Sequence, residues 1–489
     1  MIKLSEVNRY YHKLKNTSTP KWLLLLAGFF ALIWVLIRVI PKPSRFNYPC
    51  QKMAFPLAFF FLSWVGGIIA SLTFSRIFKK GISKFIYTFA LLILSTGLVT
   101  VMATGSDIII RNENVELTLS QFQSSYDNPS NIFVVPETNG NDDGVDRLID
   151  LMEAKGTHFY KTKTNENGLI LKDDVIILKV NCQWNQRGGT NTDLVKSLIR
   201  KITEHPEGFS GEIIVADNGQ AQYGSSGFGG SLDWDLNNSE NKSQSIQDVV
   251  NGFSSFKVST YLWDEITKKR VSEYQEGDKK DGYIVYDNED KETGVVVSYP
   301  KFKSKYGTYI SFKKGIWDET LEQYNSERLK VINLPVLKAH FIYGVTANIK
   351  HYMGVVSDKL TNGRSHSSVD EGGMGTVMAE TRVPVLNITD AIWVNAQRGP
   401  STPYSRATYL GIIAASTDPV ALDYWVSKNL LIQAANSIGN NYGANNMDPD
   451  NTSKGSFGNW LRLSMDELKA AGYETTVQPD RMNVFIANN

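Results

Sequence analysis

Residues Asp174–Asp217 read DVIILKVNCQWNQRGGTNTDLVKSLIRKITEHPEGFSGEIIVAD, and this stretch decides the fold. Its first part, Asp174–Asn181 (DVIILKVN), is a near-continuous apolar run of the kind found in parallel strands buried on both faces. Leu194, Val195, Leu198, Ile199 and Ile202 then recur at helical spacing, with Thr192 or Asn191 available to cap the first turn. Glu212–Asp217 (EIIVAD) is a second apolar strand. Strand, helix and strand in this order predict a βαβ unit with a right-handed crossover.

The same alternation continues on both sides. Ile132–Val135 reads as a strand, and Asp143–Ala154 as a helix with Val145, Leu148, Ile149 and Met152 on one face. Further along, strands are expected at Lys330–Leu334, Val385–Ile388 and Thr408–Ala415. Asp418 suits an N-cap and Pro419 the first position of the helix that follows. An amphipathic helix over Phe457–Ala471 and a strand over Arg481–Ala487 close the pattern. Between the two halves, Asn218–Ser245 is rich in Gly, Ser and Asn. Its GSSGFGG at Gly224–Gly230 lacks the lysine of a phosphate-cradling loop and reads as a surface loop or lid. Residues 255–317 read as a small β-rich insertion. The expected class is α/β, with a mostly parallel or mixed sheet flanked by helices.

Ahead of this domain lie three apolar runs near bilayer-spanning length, at about 22–40, 55–74 and 85–103. They predict three transmembrane helices forming an anchor over residues 1–105, with a soluble domain over 106–489. A cleaved signal peptide fits poorly, because the first run is too long and no small-residue cleavage site follows it. Lys3, Arg9, Lys13, Lys15 and Lys21 before the first run, and Arg76, Lys79, Lys80 and Lys84 after the second, place those segments on the cytoplasmic side. Arg38, Lys42, Arg45 and Lys52 in the first loop argue the other way. The balance predicts a multi-pass protein of the plasma (inner) membrane, with the bilayer as its partner and the C-terminal domain outside the cytoplasm.

Composition excludes several functions. With 51 Lys and Arg against 50 Asp and Glu, the formal net charge of +1 offers no basic face for nucleic acid. The only cysteines, Cys50 and Cys182, give neither a disulfide framework nor an iron–sulfur cluster held by this chain alone.

The residues that carry chemistry concentrate in Val331–Val356, VINLPVLKAHFIYGVTANIKHYMGVV. This stretch and the loop after it hold His340, His351 and His366 of the chain's six histidines. Lys338 and His340 end an apolar strand. Lys350 and His351 fall in an expected helix over Val345–Met353, whose Val345, Ile349 and Met353 form the packing stripe. That spacing puts His351 on a solvated face, with Lys350 snorkelling over the core. Lys179 and Asn181 end another strand, where a buried lysine needs an anionic partner or ligand. Asp217 and Asp390 come at strand ends, where open α/β sheets bind ligands and where turns also favour aspartate. Capping alone accounts for Asp418.

Taken in order, LKVN at Leu178–Asn181, Thr190 before a helix, VAD at Val215–Asp217, NLPVLKAH at Asn333–His340, NIKHYMG at Asn348–Gly354, ITD at Ile388–Asp390, GP at Gly399–Pro400 and STDPVALD at Ser416–Asp423 resemble the family called domain of unknown function 362. The resemblance spans about 130–430, and PKPSRFNYPCQ before the second apolar run is similar to the N-terminal region of exported, membrane-attached members. It implies an exported domain of unestablished activity, with Thr190 and Asn348 joining the candidate positions. The chain departs from other members in lacking their ferredoxin cysteines, which argues against electron transfer.

Two functions are therefore expected. The first is an enzyme acting on an anionic substrate, with Lys338, His340 and Lys350 as catalytic groups and Lys179, Asn181, Thr190 and Asn348 binding substrate. In its metal-assisted version, His340, His366 and Asp217 or Asp390 hold a divalent metal that polarises the substrate. The alternative is a non-catalytic module that binds a metal, an anion or a partner protein at the outer face.

Overall fold

A computed structural model of the chain describes residues 29–30, 32–34, 37, 108–112, 115–219, 229–397 and 399–487. The chain divides into two units, Met1–Thr104 and Gly105–Asn489. The expected spans at about 22–40, 55–74 and 85–103 lie outside the described residues, apart from the helical positions at 29–30, 32–34 and 37. Among the described residues, no helix is long and apolar enough to cross a membrane.

The second unit opens with an antiparallel hairpin, β1 (Ile108–Asn112) and β2 (Val115–Leu119). Strand β3 (Ser130–Val135) and helix α1 (Gly144–Ala154) precede the βαβ unit of β4 (Val175–Lys179), α2 (Thr192–Thr203) and β5 (Glu212–Asp217). Asn191 is the N-cap of α2, its side chain accepting from the backbone N–H groups of Asp193 and Leu194. Next come α3 (Ile246–Asn251) and β6 (Lys257–Leu262). Strands β7 (Gly282–Val285), β8 (Ser298–Lys303), β9 (Tyr309–Ser311), β10 (Gly315–Asp318) and β11 (Gln323–Asn325) form a separate five-stranded antiparallel sheet. This small sheet overlaps the expected 255–317 insertion but starts later, at Gly282, because β6 is the edge strand of the main sheet, and it runs on to Asn325.

The main sheet resumes with β12 (Leu329–Asn333), β13 (Val336–His340) and β14 (Gly344–Thr346). After α4 (Gly373–Glu380), strands β15 (Leu386–Asn395) and β16 (Thr408–Ser416) cross the centre. Helices α5 (Pro419–Val426) and α6 (Phe457–Ala470) and strand β17 (Met482–Ile486) complete the unit. The strand order is β17-β3-β16-β15-β12-β4-β5-β6, with β13 pairing both β14 and β15. The half from β15 to β6 is parallel, and the joins of β16 to β15 and to β3 are antiparallel, so the sheet is mixed.

The apolar runs form these strands because both faces are covered. Val175 and Ile177 of β4 enter one core with Ile214 of β5 and Val331 of β12, while Ile176 and Leu178 enter the other with Ile213, Val215 and Ile332. Successive strand residues point to opposite faces, so each strand supplies both cores. At the carboxyl ends of β4 and β5 the apolar pattern stops at Lys179 and Asp217, and the cavity described next begins there.

Candidate functional site

A cavity of about 410 Å³ is lined by Lys179, Asn181, Asp217, Lys338, His340, Thr346, Lys350, His351 and His366, with Trp184, Phe341, Ile342, Met353 and Pro400 among its apolar walls. The ends of β4, β5, β13 and β14, the turn Lys350–Gly354 and the short helix Arg364–Ser367 supply the polar groups. The parallel register sets Lys179 beside Ala216 of β5 and Asn333 of β12, and Lys338 pairs with Thr346 across the β13–β14 ladder.

The floor is a buried ion pair. Lys179 Nζ lies 2.7 Å from Asp217 Oδ1, and both side chains are almost fully buried. Lys179 Nζ also donates to the Val180 carbonyl at 3.1 Å, and Asp217 Oδ2 accepts from the Cys182 N–H at 2.7 Å. Gly354 packs directly on the pair, where a Cβ would collide with both Asp217 Oδ1 and Lys179 Nζ. The expectation that Lys179 needs an anionic partner is thus met from within the chain.

Lys338 and Lys350 are arranged differently. Lys338 is buried, and its Nζ donates to the Gly188 carbonyl at 2.6 Å. Lys350 is buried with its Nζ 5.1 Å from the centre of the Tyr343 ring. Neither forms an ion pair among the described residues. Burial, with Lys350 nearby, brings Lys338 down to about 7, while burial and Lys179 bring Lys350 down to about 8.

His340 is held by its own turn. Its Nδ1 accepts from the backbone N–H of Ile342 at 3.2 Å and of Tyr343 at 3.3 Å. The ring proton therefore sits on Nε2, which makes this imidazole a donor rather than a metal ligand. Burial and the positive charge of Lys350 keep it neutral, well below the usual imidazole range. His366 is also lowered, first by burial and then by Lys350, against the opposing pull of Asp358; its Nδ1 is 4.0 Å from Asp358 Oδ2.

The metal-assisted expectation finds no support in this geometry. Among the described residues, no group of three His, Cys, Asp or Glu side chains could hold a metal ion. Asp390 lies outside the cavity lining. Its Oδ2 accepts from the Asn191 N–H at 2.8 Å and its Oδ1 from the Ile392 N–H at 3.1 Å, which fastens the start of α2 to β15. Asp217 is committed to Lys179, and three lysines around the cavity oppose a cation on electrostatic grounds.

Two further candidates hold the frame instead of lining the cavity. Thr190 Oγ1 accepts from the Asn181 N–H at 2.8 Å and donates to the Leu334 carbonyl at 2.7 Å, tying the end of β4 to the end of β12. Asn348 donates through its backbone N–H at 2.6 Å and its side chain at 2.8 Å to Asp423 Oδ1, and Ile349 N–H donates to Asp423 Oδ2 at 3.0 Å. These bonds anchor the turn that carries Lys350 to α5. Burial raises the Asp423 carboxyl to about 7 against the pull of those donors.

The expected helix over Val345–Met353 is replaced by β14 and a single 3₁₀ turn, Lys350–Gly354. Its stripe still marks the core, since Val345, Ile349 and Met353 are all buried in one cluster. His351, expected on a solvated face, is buried with Nδ1 2.7 Å from Asn333 Oδ1. Sequence reasoning passed over Thr346, Trp184 and Gly354 as site residues. Only Gly354 carried a signal, as the last residue of NIKHYMG. Cys182 is buried and its thiol is pushed up, first by burial and then by Asp217, which leaves it unsuited to nucleophilic attack.

The model of the family described as Domain of unknown function (DUF362) matches residues 319–428 and supports the family. That span holds Lys338, His340, Lys350 and Asp423 but not Lys179 or Asp217. No curated protein matches the chain.

Proposed function

We propose that the Gly105–Asn489 unit is an enzyme domain that acts on a small anionic substrate held by Lys338 and Lys350. The observation that carries this reading is the pair of buried lysines without a carboxylate partner at a cavity wall. A buried charge is costly unless paired, and an anion between these two ammonium groups supplies the missing partner. His340 Nε2–H adds a neutral donor. Ammonium groups brought close to neutrality also suit proton transfer to or from a bound substrate near pH 7. No metal enters the reading.

Calorimetric titration of the full-length chain with inorganic phosphate and with sulfate tests it. Lys350→Met is expected to weaken binding about tenfold or more, the loss of one charge-assisted contact, while Lys350→Arg retains part of it. Equal affinity in Lys350→Met and the parent would overturn the assignment.

We further propose that the unit is displayed outside the cytoplasm on a membrane anchor formed by the N-terminal apolar runs. Their length and the lysines and arginines around them support this. Lys291 is exposed and Cys182 is buried, so Lys291→Cys in a Cys50→Ala background offers one accessible thiol in the Gly105–Asn489 unit. Labelling of intact cells by an impermeant maleimide is the expected result. Labelling only after lysis would place the unit in the cytoplasm.

A further inference from the structure

The turn joining β13 to β14 is Phe341-Ile342-Tyr343, closed by pairing of His340 with Gly344. Tight turns favour Gly, Asn, Asp and Pro, yet this one presents Phe341 and Ile342 at 50% and 56% exposure. Both line the cavity that holds Lys338 and Lys350, and Trp184 and Pro400 contribute further apolar wall. The Phe341 ring is also ordered, stacked on His340 with centroids 5.3 Å apart and planes 10° apart. An apolar lip is therefore fixed by the same imidazole that offers a donor toward the anion.

We infer that the ligand is amphipathic, an anionic head between Lys338 and Lys350 joined to an apolar portion that lies on Phe341, Ile342 and Trp184. This deepens the anion-binding reading above and rests on it. Charge complementarity fixes the head, and the continuity of the lip with the cavity fixes where the tail leaves. A carboxylate and a phosphoryl group share the chemistry of the head. Contact with the tail removes apolar surface of both ligand and lip from water, so affinity rises with tail length.

The test is a calorimetric series on the purified full-length chain, with methyl and butyl phosphate and with acetate and pentanoate as probes. Butyl phosphate is expected to bind about tenfold more tightly than methyl phosphate, less than the full-burial value because the lip keeps one side open. The double variant F341S/I342S should bring the two within about twofold, with methyl phosphate binding retained as the sign that the cavity is folded. A length dependence in the phosphates alone assigns a phosphoryl head, and one in the carboxylates alone a carboxylate head; either supports the inference. If long and short probes bind the parent equally, the amphipathic ligand is overturned while anion binding stands. Absence of binding by every probe overturns both. A length dependence that survives F341S/I342S removes the lip from the proposal and overturns it as stated.

Discussion

Two regions of the Gly105–Asn489 unit bury lysines, and they do so in opposite ways. In the small sheet, Lys301 of β8 is fully buried, its Nζ donates to the Asp278 carbonyl and lies 4.2 Å from the centre of the Tyr274 ring, and the Asp278 carboxylate is 4.0 Å away. Nearby Glu273 accepts from the hydroxyls of Tyr299, Ser311 and Tyr324. Both of these buried charges have partners supplied by the chain. At the carboxyl ends of the main sheet, Lys179 has Asp217, but Lys338 and Lys350 have a carbonyl and an aromatic ring. Burial alone therefore does not set Lys338 and Lys350 apart from Lys301; burial at a cavity wall without a carboxylate does.

The sharpest way to break this comparison is to turn the paired lysine into an unpaired one. Asp217→Asn keeps the shape of the side chain and leaves the Lys179 ammonium buried without its carboxylate. A loss of about 3–5 kcal/mol of unfolding free energy is expected, as for removal of one partner from a buried pair. Urea unfolding with an unchanged slope measures it. A loss smaller than about 1 kcal/mol would show that Lys179 is no better satisfied than Lys338, and the contrast would fail.

A second test uses pH. Lys338 at about 7 and Lys350 at about 8 lose their protons from the free protein as pH rises, and an anion binds the protonated forms. Sulfate keeps its charge over this range, so its affinity should fall from about pH 7 to about pH 9, about tenfold or more for each lysine that must be charged. Calorimetry across the range reads this directly. A flat profile would mean that neither lysine contacts the anion.

Gly354 gives a smaller effect on the paired side. Gly354→Ala places a methyl group against Asp217 Oδ1 and Lys179 Nζ. The pair must shift, at a cost of about 1–3 kcal/mol as for other overpacked sites. The thermal midpoint should drop accordingly, and an unchanged midpoint would show that the pair has room to move.

Much of the fold was legible because its signals are local. The apolar runs at Asp174–Asn181 and Glu212–Asp217, the helical stripe beginning at Leu194 and the Asp418-Pro419 helix start all became the elements they suggested. The lysines and histidines of Val331–Val356 do line one cavity, since a strand end and the following turn need only short-range chain reversal to meet. What could not be read is set by contacts distant in sequence. The stripe Val345, Ile349 and Met353 fits a helix equally well, but Gly344 at φ 76° and the bonds from Asn348 and Ile349 to Asp423 hold a strand and a 3₁₀ turn instead. Asp390 and Asp217 looked alike as strand-end aspartates. Only the tertiary structure shows one fastening α2 and the other meeting Lys179.

The smallest expected effect concerns Lys350 itself and inverts the usual sign of a core substitution. Its pKa in the folded chain, about 8, lies below that of an unfolded lysine, about 10.4. The unfolded chain therefore binds the proton more tightly, so the charge destabilises the free folded state. That penalty is complete below about pH 8 and recedes as pH rises toward the unfolded value. Lys350→Met removes the charge while keeping an unbranched apolar stem in the same space, so the anion-free variant should be more stable than the parent by about 1 kcal/mol near pH 7. The advantage should shrink toward pH 10 as the parent's lysine becomes neutral in the folded state. Added sulfate should narrow the gap near pH 7, because it stabilises the parent by binding and the variant much less. Chemical unfolding of both proteins at the two pH values, with and without sulfate, checks each part. A variant less stable than the parent at neutral pH without anion would show that Lys350 is held by the fold in the way Lys301 is, and that its missing carboxylate is no vacancy for a ligand.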